Sequence, residues 1–156
     1  MLSILGIAAT GVNFYRNSLD AIANNVANLN TVKATNEAAF QRQVVVPSEI
    51  KTPTPNMVGV GGTVGSGVSY EVQSGSSPEG RLVFDPEHPL ADERGYVRHP
   101  DIDLATEMSD MLIAQRGYQA NLAVIQRATE AYQAALHAAR RSACIRGVIA
   151  RLPSVA

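Results

Sequence analysis

The chain has 156 residues, enough for one folding unit with a core and short for two independent ones. Thirteen Lys and Arg against fourteen Asp and Glu leave a net charge of -1, which removes the strong field expected of a nucleic-acid or anionic-membrane binder. A single cysteine, Cys144, excludes an internal disulfide and a multi-cysteine zinc site, and with no Trp the apolar content rests on Ala, Val, Leu and Ile.

The N-terminus, Met1 to Ala9, lacks the basic start of a secretory signal, and polar Asn13, Arg16 and Asn17 follow, so no cleaved signal peptide is expected. No run reaches the roughly 18 apolar residues of a membrane span. Residues 1–31 instead carry a seven-residue repeat. Leu5, Val12, Leu19 and Val26 form one series, and Ala8, Tyr15, Ile22 and Leu29 the other. An apolar stripe recurring every 3.5 residues predicts a helix lying against a partner helix, as in a coiled coil. The rest of this segment holds only two charges, Arg16 and Asp20, among small and amide residues such as Ala23, Ala27, Asn24, Asn25, Asn28 and Asn30. So little charge predicts burial on several sides.

Residues 32–102 are of another kind. They hold most of the glycines and all prolines but Pro153, and their apolar residues fall in short runs at Val44-Val45-Val46, Val68 to Val72 and Leu82-Val83-Phe84. These predict strands broken by loops, one of them the cluster Gly59, Gly61, Gly62, Gly65 and Gly67. That cluster lacks both the GK[ST] ending of a P-loop and GxGxxG spacing, so it reads as a loop.

A second heptad pattern follows Pro100, with Asp103 as N-cap and Glu107 near the positive helix end. Its seam runs Leu104, Met108, Met111, Gln115, Tyr118, Leu122, Ile125, Thr129, Tyr132, Leu136 and Ala139, over a helix expected at 103–140. Alanines and amides again dominate the other faces. Residues 141–156 depart from the pattern: Arg146 falls on the seam, and Gly147 and Pro153 weaken a helix. A genuine extension and a change of reading frame both fit this tail.

No catalytic set emerges. His88, His99, Asp101 and Asp103 lack ligand-pair spacing, Cys144 has arginine neighbours but no base, and Met108 and Met111 read as packing residues. No cofactor and no metal are expected. A secreted type III needle, translocator or effector protein would share the helices, and a peptidoglycan-cleaving enzyme would need paired carboxylates or a metal set.

Two passages carry a resemblance. Ser18 to Thr31, with Asn24, Asn25, Val26, Ala27, Asn28 and Asn30, resembles the N-terminal motif of flagellar rod and hook proteins. Phe84 to Asp103, with Pro86, Pro89, Ala91, Asp92, Gly95, Tyr96, Val97 and Pro100, continued by Glu107, Met108, Asp110, Met111, Arg116 and Tyr118-Gln119-Ala120-Asn121, resembles the FlgC type of proximal rod protein. Val32-Lys33 departs from the Pro-Gly turn that axial proteins often place there.

The resemblance implies a structural subunit of the periplasmic basal-body rod. It would be exported by the flagellar type III apparatus and would polymerise with itself and other rod proteins, without binding nucleic acid or inserting in a membrane. It further implies assembly contacts at Leu5, Val12, Leu19, Ile22, Asn24, Asn25, Val26, Asn28, Asn30 and Thr31, and at Met108, Met111, Tyr118, Gln119, Asn121, Leu122 and Ile125. The expected fold is mainly α: terminal helices pairing as a coiled coil, parallel or antiparallel, around a small irregular β-containing middle.

Overall fold

The computed structural model describes residues 2–53, 63–75 and 77–149, with side chains for 4–51, 65–75 and 77–141. Gly59, Gly61, Gly62, the Cys144 side chain and tail residues 150–156 lie outside the described residues. Helix α1 spans Leu2–Ala27 and helix α2 spans Leu104–Ile149, so the second helix runs beyond its expected end at Arg140. Between them lie β1 (Gln43–Pro53), β2 (Thr63–Ser74), β3 (Arg81–Phe84) and β4 (Tyr96–His99).

The helices are antiparallel. Asn25 bonds to Glu107, Tyr15 lies over Gly117, and Asn121 lies over Gly11, so each advance along α1 is matched by a retreat along α2. This register brings Leu2, at the N-terminal end of α1, level with about residue 130 of α2. Residues 129–141 are accordingly all exposed, because α1 has run out.

The described part of the middle forms two antiparallel sheets rather than a small irregular segment. β1 and β2 form a long antiparallel ribbon from Gln43↔Ser74 to Pro53↔Thr63, with a bulge at Ile50/Lys51. Pro47 is tolerated because each strand of a two-stranded sheet has a free edge. Such a ribbon is marginal alone, and here it lies along α1. Val68 N donates to Thr10 Oγ1 at 3.1 Å, and Asn17 Nδ2 donates to the Tyr70 hydroxyl at 2.8 Å.

β3 and β4 form a second antiparallel hairpin. The sequence reading missed β4, whose four residues are flanked by Gly95 and Pro100 and resemble a turn. Gly95 supplies that turn with φ +79°, and Asp92 Oδ1 accepts bonds from Arg94 N and Tyr96 N. Residues 33–39 close over one edge through a Lys33–Arg98 bridge, and Val97, Ala39 and Ile102 are buried at this end.

These features correct the expected fold class. The chain is α+β, with two antiparallel sheets, and α1 shares its surface between α2 and the β1–β2 ribbon. The helix pair is not the expected coiled coil. The face of α2 turned to α1 and the ribbon carries Glu107, Asp110, Met111, Ala114, Gly117, Tyr118 and Asn121. Met111, Tyr118 and Ile125 stay half-buried as the seam predicts, but Ala114 takes the place expected of Gln115, and Met108 remains 54% exposed. Small residues win this face because they let the backbones approach: a Cβ on Gly117 would stand 2.3 Å from Tyr15 Cζ.

Asp103 caps α2 through bonds to its Oδ2 from Thr106 N at 3.0 Å and Thr106 Oγ1 at 2.6 Å. The Thr106 hydroxyl, then its backbone N–H, holds the Asp103 carboxyl below the ordinary value of 3.8. A depressed folded pKa gives stability that is complete above the unfolded value and is lost as pH falls through the folded one. Amide protection at Ala105 and Thr106 should therefore be constant above about pH 5 and fall as pH drops below about 4, through the lowered Asp103 value. Hydrogen exchange that stays constant over this range would remove the cap from the account.

Candidate assembly surface and its polar anchor

The α1–α2 contact is organised around one buried polar cluster. Asn25 and Glu107 are both 0% exposed. Asn25 Nδ2 donates to Glu107 Oε2 at 3.1 Å and to the Gln43 carbonyl at 2.9 Å, while Asn25 Oδ1 accepts from Gln43 N at 2.8 Å. Every hydrogen-bonding position of that amide but one lone pair is thereby engaged. Arg42, just before β1, donates from Nε to Glu107 Oε1 and from a terminal nitrogen to Asp110 Oδ2 at 2.8 Å.

Helix α1, the entry to β1 and helix α2 thus meet at one point. The Glu107 hydrogen bond is the main reason the Arg42 guanidinium is pushed above its ordinary pKa, and it remains charged. Beside the cluster is a cavity of about 180 Å³ lined by residues that include Phe14, Tyr15, Ile22, Val44, Ile113 and Ala114. Its ionic groups are Arg42 and Asp110, which already bind each other. Among the described residues no three His, Cys, Asp or Glu side chains gather to hold a metal ion.

The nominated assembly residues divide by burial. Ile22 is buried, and Leu5, Val12, Leu19, Asn24, Val26, Asn28 and Thr31 are half-buried in the chain's own packing, as are Met111, Tyr118, Asn121, Leu122 and Ile125. Asn28 is occupied locally, donating to the Asn24 carbonyl and accepting from Thr31 Oγ1. Asn30, Met108 and Gln119 face outward. Asn25 is an internal anchor rather than a free contact.

Sequence reasoning missed Arg42, and it gave Glu107 and Asp110 as members of the FlgC-like passage, with Glu107 also a charge at the helix end, without their joint role. The one available signal was the acidic pair at 107 and 110, three apart and so on one helix face.

Apolar side chains are exposed around α2: Leu104, Met108, Leu112, Ile113, Val124, Tyr132 and Leu136 are each at least 44% exposed, Ile113 reaching 65%. No helix among the described residues is long and apolar enough to cross a membrane.

Comparison with known proteins gives this surface a context. Residues 93–137, covering β4 and most of the described side chains of α2, match the model of the flagellar basal body rod FlgEFG protein C-terminal family. The flagellar basal-body rod protein FlgC of Borreliella burgdorferi is 31% identical over 148 residues, covering 87% of this chain and 95% of its own. Its counterpart in Aquifex aeolicus is 33% identical, covering 85% and 92%, and that of Yersinia enterocolitica is 32% identical, covering 80% and 87%. These relatives are structural components and not enzymes, and so is this protein. With identity above 30% sustained over most of both chains, the chain belongs to the FlgC family of flagellar basal-body rod proteins.

Proposed function

We propose that the chain is a subunit of the proximal rod, exported by the flagellar type III apparatus, polymerised in the periplasm with itself and other rod proteins, and passing torque from motor to hook by mechanical contact. The observation that carries this reading is the exposed stretch 129–141 of α2 together with the exposed apolar side chains of that helix. A surface of that size and character is disfavoured in an isolated soluble protein and is relieved by neighbours. The nominated assembly residues that face outward, Asn30, Met108 and Gln119, then act at subunit contacts, with the half-buried ones contributing their exposed edges.

A strain lacking the gene is the direct test. It should form neither rods nor hooks by electron microscopy of isolated basal bodies, and the full-length gene should restore both. Normal hooks and filaments in that strain would refute the reading.

A further inference from the structure

We propose that Lys33 and Arg98 form the cationic end of a docking face on the β3–β4 hairpin, which receives a carboxylate set among apolar side chains on an adjoining rod subunit. The inference rests on the rod reading above. It begins with the bridge between the two residues: Lys33 N donates to the Arg98 carbonyl and Arg98 N to the Lys33 carbonyl, both at 2.9 Å. Residues that exchange both bonds stand directly opposite, with their side chains on the same face.

Two cations are therefore placed side by side, an arrangement that disfavours the isolated chain. Among the described residues Lys33 has a single ion-pair partner, Glu37 at 3.2 Å, and both ends of that pair are well exposed, so it is weak and leaves ammonium donors for a further partner. Arg98 has less. Its Nε is buried without a hydrogen-bond partner, and no ion pair reaches its guanidinium among the described residues. A partly buried guanidinium without an anion is an unfavourable group in want of a partner.

The same face supplies the apolar part of the surface. Leu82 pairs with Arg98 and Phe84 with Tyr96, so these four side chains share one side of the hairpin. Phe84 and Tyr96 pack edge to face at 5.3 Å, fixed by the turn at Gly95, and yet Leu82 is 56% and Phe84 62% exposed. The opposite side holds Val97, which is fully buried. The hairpin thus sends its small apolar residue inward and its aromatic pair outward, beside the unsatisfied guanidinium.

An arginine fork takes a carboxylate through paired, charge-assisted bonds, and the neighbouring apolar residues exclude water from them. Phosphate would satisfy the charge alone. The Leu82, Phe84 and Tyr96 surface favours a protein segment over a free anion, because only the protein brings apolar side chains to cover it.

The test uses the full-length protein in the deletion strain and in purified form. Arg98→Gln should reduce hook-bearing basal bodies about tenfold or more, the scale of one lost charge-assisted pair. Its melting temperature should equal or exceed that of the wild type, since the lost charge has no partner within the chain. Arg98→Lys should assemble better than Arg98→Gln, because it keeps the charge without the fork. A photo-crosslinking residue at Leu82 should capture a rod subunit, identified by mass spectrometry. Normal hook numbers with Arg98→Gln would overturn the inference while leaving the rod reading intact, as would a lowered melting temperature for that variant, which would make the guanidinium an internal support. Crosslinking only to lipid or cell wall would overturn it too. Hooks in the uncomplemented deletion strain would instead remove the rod reading itself.

Discussion

Glu107→Ala should lower the stability of the folded chain by about 3 kcal/mol, read as a shift in the urea unfolding midpoint. Removing one member of a buried ion pair leaves the other charge desolvated without compensation, and here the loss also strips an acceptor from the fully buried Asn25. The estimate sits at the low end of the range for buried pairs because the Arg42 side chain is 26% exposed and keeps Asp110. Glu107→Gln should also destabilise the chain, since its amide oxygen can accept from only one of Asn25 and Arg42 while its NH2 group meets the donor of the other. With a core made largely of alanines, such a loss is a large share of the usual total of about 5–15 kcal/mol. A loss under about 1 kcal/mol for Glu107→Ala would mean that the cluster is not what joins α1, β1 and α2.

Gly117→Val should destabilise the chain by about 1–3 kcal/mol through overpacking. The added Cβ would meet the ring of Tyr15, with Cζ, Cε1 and Cε2 all within 2.6 Å, and that ring is held edge-on by Phe14 at 4.9 Å. Any gain in helix propensity over glycine is below the roughly 1 kcal/mol that alanine would bring. Combining the change with Tyr15→Ala should recover part of the loss, because the smaller partner makes room. Thermal melts of both single variants and the double variant measure the coupling. Additive effects would show that residues 15 and 117 do not meet.

The sequence shows the helices plainly and conceals which faces meet. The heptads at Leu5 to Leu29 and from Leu104 onward mark two long helices, and these form. On α2 the seam holds at Met111, Tyr118, Leu122 and Ile125 and fails at Met108 and Gln115, which are exposed while Ala114 and Gly117 lie inward. Patterning rules assume that a chain hides its bulky apolar groups, and a member of an assembly keeps some for its neighbours. The strand runs at Val44, Val68 and Leu82 were legible because β-branched and aromatic residues cluster there. Their pairing, and the long ribbon against α1, depend on contacts distant in sequence.

The polar anchor was the least legible feature. Glutamate is almost never fully buried, so nothing local singles out Glu107, and Asn25 belongs to a run of amides whose other members are partly or fully exposed. The Arg98 guanidinium escaped for the same reason: only the fold places Lys33 opposite it.

The anchor also acts on sliding. A displacement of one helical turn, about 5.4 Å, would move Tyr15 off Gly117 and Asn121 off Gly11. It would place Ala21 or Leu29 in front of Glu107 in place of Asn25, leaving the carboxylate short of a donor and the Gln43 backbone short of its amide partner. Sliding of α1 along α2 is therefore opposed at both ends of the contact, by the polar anchor at one and by the small-residue fits at the other.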